Sequence, residues 1–407
     1  MTIDKTPRVL PSNDILTGEK TPVSPIKLTP GERTPGECKE ALHKQPKIFS
    51  ANNPLETKIS TDDVTAIYQD RQFLNGEFKN TAFDKNTGIS LLKNKDGSYP
   101  SSGEYISPVI NTTFEFNEAI ASWNCKTTPD TGLAFCVRTC KADGTWTPWY
   151  LMGTRGNIDA ADGIKKDDSG NKVNADTLSL KSNFTKIQYK VDFVSKNKSE
   201  TPALNMMTLC HTNTVQAGKI KQAEKIKNFE KNLTVPFRSQ RNEDPSISGR
   251  VCGPTSLAMI LEYHGIKAPT ADVAKGSYDK FNDIYGNWPY LVACASEYGL
   301  KGEVQYFTSL DGLKEEIKKG CPVVVGVLYK NGERSNADFL PSTTDGHMLV
   351  VTGFDKGGNV LVADPAAKDA KSDKPGMSGV TVFKKEEFFN AWIGESGYGV
   401  ALTFRDK

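Results

Sequence analysis

The stretch "GRVCGPTSLAMILEYHG", residues 249–265, sets a cysteine directly before a Gly253-Pro254 pair and then runs into an apolar, helix-forming segment. Leu257, Ile260 and Leu261 recur at the spacing of one helix face. Pro254 is tolerated in a first turn, where its missing N–H would have no intrahelical acceptor, and Gly265 is suited to end the helix. Cys252 is therefore predicted at or just before a helix N-terminus. Unpaired N–H groups and the positive end of the helix dipole favour thiolate over thiol there. A small residue capping the helix would explain the position equally well, so the partners of the thiol have to decide.

A thiolate nucleophile needs a positioned imidazole, and the imidazole needs an orienting acceptor. The chain has four histidines, His43, His211, His264 and His347. His264 ends the cysteine's own helix, ~18 Å away at 1.5 Å per residue, too far for a hydrogen bond to Cys252. His347, in "DGHMLVVTGFD", opens an apolar strand, where a rigid sheet can present a ring to the helix mouth. The chain then turns at Lys356-Gly357-Gly358-Asn359 into "VLVADP", and mirror pairing about that turn brings Asp364 opposite roughly residue 349, beside His347. Asp345 is the rival acceptor, although residues two apart on a strand diverge from a shared neighbour. Gln240, in "VPFRSQR", offers a side-chain amide that with the Cys252 N–H would make a pair of oxyanion donors.

The rest of the chain divides by pattern. Residues 1–61 carry most of an early cluster of prolines and threonines with few aromatics, and are expected to be a disordered tail. Residues 62–213 read as short alternating strands separated by turn residues, an all-β sandwich of accessory character. Trp123, Trp146 and Trp149 fall in it; they would fill the core or form a stacking platform for a glycan, and core packing is the favoured reading. Residues 214–232 are lysine-rich, with Ile220, Ala223, Ile226 and Phe229 on one stripe, a linker or short helix. Residues 233–407 show helices first and strands second, the order of an α+β domain with an antiparallel sheet.

With 407 residues, a formal net charge of +2 and no apolar run of membrane-spanning length, the chain gives no electrostatic case for nucleic acid and no membrane span is predicted. The eight cysteines are too thinly spread for a disulfide scaffold. Cys136 and Cys140 would lie on one strand face ~13 Å apart, which favours two strand residues over a metal pair, and the acidic loop before residue 177 lacks EF-hand spacing. The first 40 residues lack the apolar core of a signal peptide, so a cytoplasmic location or a non-standard export route is expected.

The run "VPFRSQ", then "CGPTSLAMILEYHG", "DGHMLVVTGFD" and "VLVADP" in that order, resembles the papain-like cysteine peptidases related to the double-glycine-cleaving, bacteriocin-processing peptidases. The resemblance covers about residues 233–405. It implies Cys252 as nucleophile, His347 as general base and acid, Asp364 as the orienting residue and Gln240 in the oxyanion hole. It implies a peptide or protein substrate and amide hydrolysis through a thioester, with neither metal nor organic cofactor. The stretches "YISPVI" and "ASWNC" resemble the β-rich region that precedes such domains in bacterial proteins, which are mostly exported. A protein or glycan ligand of that region stays open. So do two other readings of the site: an acyltransferase using the same cysteine, and a binding protein with an inactive peptidase-like domain.

Overall fold

The computed structural model describes residues 57–59, 64–159, 161–219, 224–330, 332–335, 344–368 and 379–406. The expected tail lies outside them, apart from Thr57–Ile59, which form an edge strand. Strands β1 (Thr57–Ile59), β2 (Thr65–Asp70), β3 (Glu77–Lys79), β4 (Thr81–Asp84), β5 (Gly88–Leu91) and β6 (Ser102–Ile106) open a twelve-stranded sheet. It is completed by β7 (Ile110–Lys126), β8 (Thr131–Cys140), β9 (Tyr150–Gly156), β10 (Lys172–Asn174), β11 (Thr177–Ser195) and β12 (Ala203–Thr212).

The sandwich expected here is hydrogen-bonded as one continuous antiparallel sheet, because β11 is long enough to serve two sets of neighbours. Its first part pairs with β7, from Thr177↔Ile120 to Ile187↔Ile110. Further along, Lys190 lies between Ile106 of β6 and Cys136 of β8. Register shifts between Ser179 and Phe184, and again before Lys186, mark the irregularities at which such a strand bends. The sheet consequently faces itself: Trp123 of β7 stacks on Phe135 of β8 at 4.0 Å between ring centroids, although those strands share no ladder. Trp123 is a core residue, whereas Trp146 and Trp149 are half-buried and hold the Arg138 guanidinium at 4.6 and 4.5 Å.

After helix α1 (Thr214–Ala217), whose N-cap Asn213 accepts from the Gln216 N–H, the second region follows. Of the expected stripe at 214–232, Ile220 and Ala223 lie outside the described residues, while Phe229 packs edge-on against Phe354. The region holds α2 (Cys252–Tyr263), α3 (Thr270–Gly276), α4 (Trp288–Glu297), α5 (Leu310–Lys318) and α6 (Lys385–Trp392). Its strands are β13 (Lys231–Asn232), β14 (Leu300–Phe307), β15 (Val323–Tyr329), β16 (Thr344–Phe354), β17 (Val360–Ala363), β18 (Val380–Phe383) and β19 (Gly399–Asp406). They form a seven-stranded antiparallel sheet in the order β14-β19-β15-β16-β17-β18, with β13 on β16.

Helix α2 ends as its glycine suggests. Gly265 takes φ 78°, its N–H reaches Glu262 O, and the Ile266 N–H reaches Leu261 O at 2.8 Å, the paired bonds of a Schellman motif. Every residue from Cys252 to Leu261 is buried, so this helix is enclosed on all sides rather than lying on the sheet by one stripe. Among the described residues, no helix is long and apolar enough to cross a membrane.

The two sheets meet through α4. Asn124 of β7 exchanges both amide bonds with Gly302 of β14, donating at 2.7 Å and accepting at 2.8 Å. The Cys125 N–H donates to Ser296 Oγ, which donates back to the Cys125 carbonyl, and the Thr154 N–H donates to the Tyr290 hydroxyl. The cores are shared as well: Ile67, Ile120 and Cys210 pack with the second region, and Tyr290 and Ala293 of α4 pack with Trp123 and its neighbours.

Such an interface predicts one cooperative melting transition for both regions. Trp123→Ala, which empties a fully buried site touching both Phe135 and Tyr290, should cost about 3–5 kcal/mol in a denaturant titration and shift the whole transition. Two resolved transitions, with only the first affected, would contradict the shared core.

Candidate active site

Cys252 is the first residue of α2 and is 6% exposed. First-turn N–H groups have no intrahelical acceptor, and the Gly253 N–H is turned to the sulfur. The position after the cysteine is tight for anything larger than glycine: a Cβ on Gly253 would stand 2.9 Å from Met348 Sδ and 3.1 Å from both Gly286 Cα and Leu291 Cδ1, so its neighbours would have to shift. The glycine lets β16, the 286 loop and α4 close around the helix mouth.

His347 lies on β16 opposite Val327 of β15, buried, with its Nε2 2.7 Å from Asp364 Oδ1. Its ring is also hydrogen-bonded to the Cys252 sulfur. Since Asp364 occupies Nε2, Nδ1 is the nitrogen left for the thiol. The β16–β17 ladder ends at Val350↔Ala363, which puts the next residue, Asp364, across from position 349 just past the strand. Asp364 is fully buried and its Oδ1 also accepts the Ala366 N–H at 3.0 Å.

These contacts fix the direction of each titration. Burial by itself would push the Cys252 thiol up, but the His347 hydrogen bond and charge, with backbone N–H groups of Met348 and Gly253, outweigh it and leave the thiol below its ordinary value. Burial would lower His347, and the Asp364 charge and hydrogen bond, joined by Cys252, instead raise it well above the usual imidazole range. Burial opposes ionisation of Asp364 too, yet His347 and the Arg334 guanidinium hold it well below the usual carboxylate range. All three directions favour a thiolate–imidazolium pair over a neutral thiol and imidazole.

Gln240 begins a short 3₁₀ turn, Gln240–Asn242, tied to the same corner: its N–H donates to Pro365 O at 2.8 Å. Its Nε2 donates to Ser248 O on the loop leading to Cys252, which leaves the second Nε2 proton free, while Oε1 is buried without a partner among the described residues. The side chain of Asp345 and all of His43 lie outside the described residues. His264 is turned away, with Nδ1 3.0 Å from Asp406, and His211 is enclosed by Phe114 and Phe116. Arg334 was not legible as a site residue. It follows β15 in the polar run "NGER", and only its burial against Asp364, 3.0 Å from Nη1 to Oδ2, brings it out. Among the described residues, no group of three or more His, Cys, Asp or Glu is arranged to hold a metal.

Residues 232–400 match the model of the Peptidase_C39 like family, so this part of the chain is a cysteine-peptidase-like domain. Residues 63–211 match the model of the Peptidase C39 N-terminal domain, so both regions of the chain match models named for C39 peptidases. Among solved structures it is similar to a C39-like peptidase from Bacillus anthracis, at 23% identity over 44% of this chain and 99% of that one, with a TM-score of 0.32. It is also similar to xylellain, a cysteine protease from Xylella fastidiosa, at 14% identity over 46% of this chain and 91% of that one, with a TM-score of 0.27. No curated protein matches the chain.

Among the described cysteines, the electrostatics predict one reactive thiol. At about pH 6.5 iodoacetamide should alkylate Cys252 first, while Cys125, Cys136 and Cys294, each pushed up to about 12 by burial, stay unmodified in peptide mass maps. His347→Ala should abolish the selectivity. Equal labelling of Cys252 and Cys294 would refute the ion pair.

Proposed function

We propose that this chain is a cysteine peptidase with a papain-like α+β domain at residues 233–407, joined through 214–232 to a β-rich accessory domain at 62–213 and preceded by a tail at 1–61. The observation that carries the reading is one contact series: the Cys252 sulfur at a helix N-terminus, bonded to the ring of His347, whose other nitrogen is 2.7 Å from Asp364.

In the proposed cycle the Cys252 thiolate attacks the carbonyl carbon of a peptide bond, and the carbonyl oxygen becomes an oxyanion. The Cys252 N–H and the free Nε2 proton of Gln240 donate to it in a site shielded from water, where such donors count for more than in solution. Protonated His347 gives its Nδ1 proton to the leaving amine, and the C–N bond breaks to leave a thioester on Cys252. Neutral His347 then takes a proton from water, whose oxygen attacks the thioester carbonyl; the C–S bond breaks, the carboxylic acid product leaves, and the thiolate–imidazolium pair is restored. Asp364 stays ionised throughout and keeps Nε2 occupied, so Nδ1 faces the sulfur. A protein or peptide is the substrate class; cleavage after a double glycine belongs to the family that the sequence resembles and rests on no subsite residue of this chain.

Cleavage profiling of a bacterial proteome with the full chain against Cys252→Ala tests the reading. New N-termini that depend on Cys252 are expected. Gln240→Ala should lower kcat about 10²–10³-fold with a smaller change in KM, since the amide acts on the oxyanion. Ligated products that increase with added amine, in place of new N-termini, would make the enzyme an acyltransferase. A Cys252 that labels normally but cleaves nothing would mark a binding protein.

A further inference from the structure

Arg334 has no part in the cycle as drawn, yet it is among the most enclosed charges of the molecule. Its side chain is 1% exposed, and Nη1 meets Oδ2 of Asp364, the oxygen that His347 does not use, at 3.0 Å. The guanidinium lies 4.1 Å from the ring centre of Phe383 on β18 and 5.7 Å from that of Tyr329 on β15. Nε and Nη2 are buried with no hydrogen-bond partner among the described residues.

Two physical points follow. A carboxylate bound through one oxygen can turn about its terminal bond, because that torsion is broad. Here Oδ1 is taken by His347 and the Ala366 N–H, and Oδ2 by a cation wedged against an aromatic face, so the plane of the carboxylate is set from both sides. Secondly, a buried guanidinium with two unmatched donors is a poor strut, since each unmatched donor carries a desolvation penalty and an apolar side chain of similar volume often stabilises as well. Fold stability therefore gives little reason for an arginine at this place.

We propose that Arg334 is a positioning residue for the active site: it locks the Asp364 carboxylate onto His347 and completes a buried row of alternating charge, and in doing so it sets the pH above which Cys252 is a thiolate. Among the described residues, the charged or titratable groups facing that row are Cys252 from α2, His347 from β16, Asp364 after β17, and Tyr329 and Arg334 from β15 and the loop behind it. Removing the cation leaves Asp364 free to turn and withdraws positive charge from the neighbourhood of the sulfur, and both changes disfavour the thiolate. The inference rests on the proposed function only in taking Cys252 as the nucleophile.

The test uses the full chain and reads the Cys252 thiolate directly, as the ultraviolet absorbance near 240 nm that each protein loses on Cys252→Ala, followed against pH beside the thermal melting temperature. In Arg334→Met the midpoint should move up by about one pH unit, a tenfold loss in the thiolate equilibrium. Arg334→Lys, which keeps the charge but not the fork, should recover at least half of that shift. In an Asp364→Asn background the Arg334→Met shift should fall to less than half, because the arginine works through the carboxylate. That double variant buries no unpaired charge, so it folds even if a single variant does not.

A wild-type midpoint in Arg334→Met, whatever its melting temperature, would reduce the residue to a strut and overturn the proposal. An undiminished shift in the Asp364→Asn background would overturn it as well, by showing a direct charge effect. Should the wild type show the thiolate but no Cys252-dependent cleavage, the peptidase reading fails and the positioning role stands.

Discussion

A thiolate persists inside a protein only where positive charge is buried with it, because removing an ion from water costs several kcal/mol even after the surroundings relax. Cys252, His347, Asp364 and Arg334 meet that constraint together. In the proposed ion pair their charges alternate, negative, positive, negative, positive, and sum to zero in a site buried from solvent. Asp364 is the middle of the row and touches both cations. The backbone around it follows from this duty: the β17 ladder stops at Ala363, Pro365 has no N–H to bring to a strand, and the Ala366 N–H is free to reach Oδ1. The next carbonyl, Pro365 O, accepts from the Gln240 N–H, so one corner of chain holds both the Asp364 carboxylate and the amide proposed to face the oxyanion.

The other half of the requirement is a cysteine that does not move. Helix α2 is buried on all sides over its first ten residues, and Leu291 of α4 lies against Gly253. Helix α4 is itself enclosed, with β14 on one side and β7 of the N-terminal sheet on the other, and it is held by the Ser296–Cys125 and Tyr290–Thr154 bonds. The N-terminal sheet thus packs one helix away from the thiol. It supplies the wall against which α4 is pressed, and this is a structural dependence that a chain of separate domains on a linker would not have.

How much of this was legible depends on the range of the interaction. The start of α2 at Cys252, its stop at Gly265 and the exclusion of His264 rest on caps and rise per residue, which neighbouring residues encode. The approach of Asp364 to His347 follows from a turn and a period of two, also local rules. The α4 segment "WPYLVACASE" is apolar on every face, the pattern of a helix buried all round, although nothing in the pattern says that a second sheet covers it. In the sequence the polar run "KSN" interrupts the alternation along β11; the structure carries the strand through that run with register shifts on β7. Arg334 was beyond reach, since "NGER" has the composition of a solvated turn and only the distant Phe383 and Asp364 make it a core residue.

The location of the cysteine at a helix mouth, the feature most visible in the sequence, turns out not to be sufficient. A helix N-terminus is worth about 0.3–1 kcal/mol to a nearby anion, and up to ~2 kcal/mol in partly buried geometry. Burial, with smaller opposing effects of Arg155 and Glu297, pushes the Cys294 thiol from 9.0 to about 12, which at 1.36 kcal/mol per unit is about 4 kcal/mol against the thiolate. A cysteine as enclosed as Cys252, helped only by the helix, would remain a thiol. In the proposed ion pair the balance is reversed by the imidazolium beside it, which is favoured in a buried place because Asp364 accepts from its far nitrogen. The helix orients the sulfur and offers the N–H groups around it; the ionisation is set by residues roughly a hundred positions further along the chain.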